Sequence, residues 1–139
     1  MEYIYIICPV ITLLTCQILK CLIEWIETKK FSIARLTNGS GGMPSSHTSF
    51  TSSLTMLIGF KLGFSSPLFA ICFVFTGIVA YDAMGLRYES GKHAEAINQL
   101  NKINKVKTNL LKQEIGHKPM EVLVGLVYGT LLAYLFSLI

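Results

Sequence analysis

The chain has 139 residues, 52% of them apolar in type and only 14% charged, with a mean hydropathy of +0.54. Such a length suits one domain, and an ordinary soluble domain carries about 25% charged residues. These figures exclude a disordered chain, argue against a soluble enzyme, and point to lipid as the solvent for much of the sequence. A net charge of +4 is too small an excess for a nucleic-acid binder, and no basic stripe with interleaved aromatics occurs. Cys8, Cys16, Cys21 and Cys72 all lie inside apolar runs without a CxxC pair, and read as small packing residues.

The first apolar run extends from Tyr3 to about Trp25. It lacks the n-region and small-residue cleavage site of a signal peptide and is long enough to span a bilayer. Gln17, Lys20 and Glu24 fall toward its end, and Tyr3 and Trp25 suit interfacial anchors. Asn38-Gly39-Ser40-Gly41-Gly42 is a flexible turn. The second run, Thr48 to about Phe64, is short and rich in Ser and Thr. The third, Pro67 to about Met84, ends in Tyr81-Asp82. Between Glu89 and Ile115, residues Ala96, Leu100, Ile103, Val106 and Leu110 recur every three or four positions among Lys, Asn and Gln. That spacing predicts an amphipathic helix over about 90–115, with Ser90 as N-cap and Gly116 and Pro119 as the stop. Such a helix covers its own bundle, lies on the membrane surface, or pairs with a second copy. The fourth run, Met120–Ile139, holds Glu121 as its only charge. No alternating strand pattern appears, so helices are the expected spanning elements. The expected fold is an all-α membrane bundle, one domain over 1–139. It has four transmembrane helices (about 3–25, 48–64, 67–84 and 120–139) and a long amphipathic helix between spans three and four.

Four spans make three loops. Eleven of the twelve basic residues fall in or beside the first and third loops, Lys61 being the exception. The positive-inside rule makes that side cytoplasmic and puts both termini outside. Because successive spans alternate in direction, four polar groups converge on the same face. These are Gln17/Lys20/Glu24, the Pro44–His47 turn, Asp82/Arg87, and His117/Glu121. Ionisable residues in or beside spans default to a functional reading.

Gly41-Gly42-Met43-Pro44-Ser45-Ser46-His47 is the most informative stretch. Gly42 lets the backbone approach a ligand, and Pro44 suits a first helical position. The N–H groups of Ser45, Ser46 and His47 would then face outward as an anion site, with two hydroxyl donors added. His47 is able to give a proton near neutral pH. In the second stretch, His117 and Glu121 are four apart and share a helix face. A carboxylate on one imidazole nitrogen raises the basicity of the other, which suits a nucleophile or base. His93 reads as a solvated residue on the polar helix, and no tight ligand spacing supports a metal site. Gly125-Leu-Val-Tyr-Gly129 is a GxxxG helix-packing pair, within the chain or in a homodimer.

Pro44-Ser45-Ser46-His47 resembles the Pro-Ser-Gly-His motif of the type-2 phosphatidic acid phosphatase and vanadium haloperoxidase superfamily. His117-x-x-x-Glu121 resembles that family's His-x-x-x-Asp motif. The Lys20 span, Gly-Gly-Met-Pro-Ser-Ser-His, Tyr81-Asp82-Ala83 with Arg87, and Gly-His-x-Pro-x-Glu-Val together resemble its divergent branch of small membrane proteins over nearly the whole chain. The resemblance implies a membrane phosphatase acting on a lipid phosphate or pyrophosphate, with no cofactor. It implies His117 as nucleophile, Glu121 as its orienting carboxylate and His47 as the acid. It also implies Lys20, Arg87, Ser45, Ser46 and the Gly42 turn as phosphate ligands, with Asp82 and Gln17 in support. The parent's Lys-x6-Arg-Pro motif is not intact, since Glu27 stands seven residues after Lys20, and Leu111 stands where the parent has Arg six before its nucleophilic His. A non-catalytic protein that binds anionic headgroups or a partner through the same basic pocket is the alternative.

Overall fold

The computed structural model describes residues 3–29, 42–106, 108–113 and 115–139. Among them are five helices and no strands: α1 (Ile4–Thr28), α2 (Ser46–Leu62), α3 (Pro67–Met84), α4 (Leu86–Ile103) and α5 (Pro119–Ser137). Lys30, Arg35, the Asn38–Gly41 turn and Lys107 lie outside the described residues. Three stretches are long and apolar enough to cross a membrane, namely Ile4–Ile26, Pro67–Ile103 (α3 and α4 together) and Pro119–Ser137.

Helix α2 is the centre of the assembly and packs against α1, α3 and α5. At 17 residues it falls short of the roughly 20 that a lipid-exposed span needs. Its buried side is polar: Ser46, Thr48, Ser49, Thr51, Ser52, Ser53 and Thr55 are all enclosed. These hydroxyls do not stay unsatisfied. Ser49 donates to the Ser45 carbonyl (2.8 Å), Ser53 to Phe50 (2.8 Å) and Thr55 to Thr51 (3.0 Å). Thr55 also reaches the Thr76 hydroxyl at 2.8 Å, which stitches α2 to α3.

The helices around α2 turn small residues inward and large apolar ones outward. On α1 the positions Ile4, Cys8, Thr12, Cys16 and Lys20 recur every four residues and are buried, while Ile7, Val10, Leu14, Ile18 and Leu22 are exposed. On α5 the glycine pair is spent within the chain. A Cβ on Gly125 would stand 2.7 Å from the Ser45 carbonyl oxygen, and one on Gly129 would strike Ser49 and Ser52. Of the two roles the sequence leaves open for the glycine pair, packing within the chain or in a homodimer, the first is taken, since α2 of the same chain fills the face. Small residues allow such close approach where lipid supplies no hydrophobic drive between helices.

The amphipathic helix differs from its expected bounds. It starts at Leu86, directly after Gly85, and stops at Ile103 rather than near Ile115. Lys105 takes a left-handed conformation (φ 54°), and the chain then doubles back along α4 without regular structure. The side-chain amide of Asn98 brackets one residue of the return segment, donating to the Leu111 carbonyl (2.8 Å) and accepting from the Leu111 N–H (2.9 Å). Gly91 admits the backbone of Gln113 at close range. The apolar spacing through Val106 and Leu110 thus runs past a chain reversal. Ser90 is inside the helix, its hydroxyl donating to the Leu86 carbonyl at 2.8 Å.

Candidate active site

Four chain segments meet at one end of the bundle, and backbone bonds fix them together. The His117 N–H donates to the Ala83 carbonyl at the end of α3 (2.9 Å), and the Ser45 N–H donates to the Glu121 carbonyl in the first turn of α5 (2.9 Å). From α1, the Lys20 ammonium donates to the Ser46 hydroxyl at 3.2 Å. Lys20 is 4% exposed and His117 2%. The convergence expected from alternating spans is therefore made by direct contacts.

Pro119 opens α5 at a position that needs no N–H, and Glu121 stands in its first turn. One oxygen, Oε2, accepts from the Lys118 N–H (3.1 Å) and lies 3.0 Å from His117 Nδ1. A carboxylate accepts only, so Nδ1 carries the proton of the neutral ring and Nε2 keeps its lone pair. Burial pushes His117 below its ordinary value, and the bond to Glu121 pulls it partly back. The ring is thus held neutral, in one tautomer and one orientation.

Ser45, not Pro44, defines the start of α2. It is the N-cap, its hydroxyl 3.4 Å from the Thr48 N–H and 2.9 Å from the Thr48 hydroxyl. Pro44 therefore precedes the cap instead of occupying the first helical position. The Ser45 N–H and hydroxyl, expected to face an anion, hold the turn to α5 and to α2 instead. Ser46 meets Lys20, and His47 is exposed beside them. Arg87, Lys20, Asp82 and the His117 ring all lie within electrostatic reach of His47. Gly42 supports the turn with a positive φ of 78°. Gln17, one turn before Lys20, has a buried carbonyl oxygen with no hydrogen-bond partner among the described residues.

Asp82 binds the guanidinium Nε of Arg87. The position six residues before His117, Leu111, is held away on the α4 return by Asn98. The cations that bear on His117 are Lys20 and, more weakly, Arg87. Gly116 lies directly on the backbone of Arg87 and Tyr88, where any Cβ would collide, and the Arg87 charge reaches His117. His93 sits apart, exposed on α4.

Sequence reasoning missed the cavity of about 450 Å³ beside Glu121, lined in part by Tyr88, Lys92, Glu95, Gln113 and Lys118. Its signal was present, because Tyr88, Lys92 and Glu95 share one face of α4 by spacing. It also missed Asn98 as a latch. Among the described residues no group of three or more His, Cys, Asp or Glu is placed to hold a metal ion.

A family profile described as "Divergent PAP2 family" matches residues 1–132. The chain is 32% identical over 139 residues to the uncharacterized membrane protein YuiD of Bacillus subtilis (strain 168), covering 86% of this chain and 87% of that protein. No solved structure matches.

Proposed function

Because the chain belongs to the divergent PAP2 family, we propose that this membrane protein is a phosphatase that hydrolyses a lipid-linked phosphate or pyrophosphate through a phosphohistidine. The observation that carries the reading is the enclosed His117 with Nδ1 fixed on Glu121 at 3.0 Å. That contact leaves Nε2 as the nucleophilic atom. Nε2 attacks phosphorus while the bond to the lipid oxygen breaks, and His47 gives its proton to that leaving oxygen. Water then attacks the phosphohistidine and gives a proton to His47, the P–N bond breaks, and phosphate leaves. Lys20, held on Ser46, and Arg87, held on Asp82, balance charge on the phosphoryl oxygens.

In this reading α2 also spans the membrane, as the second of four transmembrane helices, shielded from lipid by α1, α3 and α5, and the α4 hairpin joins spans three and four. The site lies at the cytoplasmic face of the cell membrane, with both termini outside, and the substrate enters sideways from the bilayer. Purified protein reconstituted with phosphatidic acid or an isoprenyl pyrophosphate should release inorganic phosphate. His117→Ala should abolish release, and acid-labile, base-stable phosphate should be trapped at position 117. Equal background release from wild type and His117→Ala would end the catalytic claim. Headgroup binding that survives His117→Ala but falls with Lys20→Ala or Arg87→Ala would mark a non-catalytic binding protein.

A further inference from the structure

The α4 hairpin shows an unusual division of surface. Its buried helix face, Gly91, Ala94 and Asn98, is covered largely by its own return segment through the Asn98–Leu111 pairing and the Gly91–Gln113 contact. The apolar side chains toward its tip remain outside: Leu100 is 56% exposed, Ile103 75%, Val106 51% and Leu110 83%. Ordinary solvation does not account for four large apolar side chains gathered toward the tip of an otherwise polar hairpin.

Charge identifies the occupant. From Ile97 to Lys112 the sequence contains Lys102, Lys105, Lys107 and Lys112 and no Asp or Glu. Exposed apolar side chains interleaved with cations of one sign suit a surface that is apolar below and anionic above. The tether agrees. A single residue, Gly85, separates α4 from the apolar helix α3, and the return segment ends where the apolar helix α5 begins at Pro119. Both ends of the hairpin are therefore fixed where apolar helices end, and α4 itself is roughly 27 Å long.

We infer that the α4 hairpin docks on the anionic headgroup surface of its own membrane, with Leu100, Ile103, Val106 and Leu110 inserted and Lys102 and Lys105 on the headgroups. The docking does not depend on the phosphatase reading. It adds a surface at which lipid composition is sensed, separate from the His117–Glu121 pair.

The test uses the full chain in lipid nanodiscs, with Trp25→Phe removing the single tryptophan and Leu110→Trp placing a reporter at the tip. Discs of phosphatidylcholine alone are compared with discs containing phosphatidylglycerol. In anionic discs the emission should move to the blue and resist quenching by acrylamide, and both effects should reverse at high salt. Lys102→Gln with Lys105→Asn should remove the difference, Asn being tolerant of the left-handed backbone at position 105. Leu100→Trp provides a second reporter should the first perturb folding, which the unfolding midpoint of each variant reports. Water-like emission from both reporters in both discs would overturn the inference. So would a blue shift indifferent to lipid charge that grows with protein per disc, which would assign the surface to a second copy of the chain.

Discussion

Gly125 and Gly77 are both helical glycines in apolar helices, yet the same substitution should act on them with opposite sign. At Gly125 an added Cβ meets backbone, 2.7 Å from the Ser45 carbonyl oxygen and 3.3 Å from its nitrogen. Ordinary carbon–oxygen contact begins near 3.4 Å, so the turn must retreat by roughly 0.7 Å. The Ser45 N–H bond to Glu121, now 2.9 Å, then passes beyond useful hydrogen-bond length. Ser45 is fully buried, so water does not replace the lost acceptor. Overpacking costs about 1–3 kcal/mol and an orphaned buried donor another ~1–3 kcal/mol. The helical gain of Ala over Gly returns about 1 kcal/mol. Gly125→Ala should therefore destabilise by about 1–5 kcal/mol. At Gly77 a Cβ meets nothing within 4 Å, and Gly77→Ala should be neutral or more stable by up to about 1 kcal/mol. The assay is reversible unfolding in mixed micelles, followed by the loss of helical circular dichroism. On the proposed reaction, Gly125→Ala should also lower turnover, because the displaced turn carries His47. Equal stabilities for the two variants would refute the idea that α5 is clamped on the Pro44–His47 turn.

The ionisation of His117 gives a pH prediction with a defined sign. Its folded-state value lies below the ordinary 6.5 because burial disfavours the cation. The unfolded ring therefore takes up a proton first as pH falls, so the contribution to stability is intact above about 6.5 and is lost below it. His117→Asn should flatten that acidic decline, and the Glu121→Gln protein should show, by histidine NMR, a still lower value for His117. Replacing Asn98 with Ala removes both bonds to Leu111. At about 1 kcal/mol each, the return segment should open roughly 30-fold more often. Trypsin cleavage near Lys105 and Lys112 should rise in proportion, and unchanged cleavage would dissociate the latch from the hairpin. Lys20→Met should weaken inorganic phosphate protection of the protein against unfolding, whereas Lys20→Arg should retain part of it.

The helices α1, α3 and α5 were legible because long apolar runs have few alternatives in lipid, whereas α2, short and rich in Ser and Thr, was legible mainly from the Pro-Ser-Ser-His start and the Gly63 stop that bound it. Their meeting at one end was legible from alternation of direction alone. The end of α4 was not. Val106 and Leu110 keep helical spacing in the sequence, but Lys105 reverses the chain and the Asn98 amide holds the returning strand of backbone. Periodicity does not register either event. The role of Ser45 was also hidden, since a serine before a histidine looks the same whether its N–H faces a ligand or the first turn of a neighbouring helix. The glycine pair announced close packing but not its partner. That partner is a row of serines, which composition alone assigns to a solvent-facing surface.

The polar interior of α2 has a consequence for how the chain is assembled. A segment whose hydroxyls bond to its own carbonyls carries no orphaned donors into the bilayer, yet it offers lipid too few apolar side chains to be drawn in by itself. On the four-span reading its entry depends on company: α1 is already present, while α3 and α5 must still arrive to enclose it. Synthesis then leaves the Pro44–His47 turn without its α5 clamp until α5 itself emerges. The end of the bundle that holds His117 and Lys20 becomes whole only once α5 has joined it.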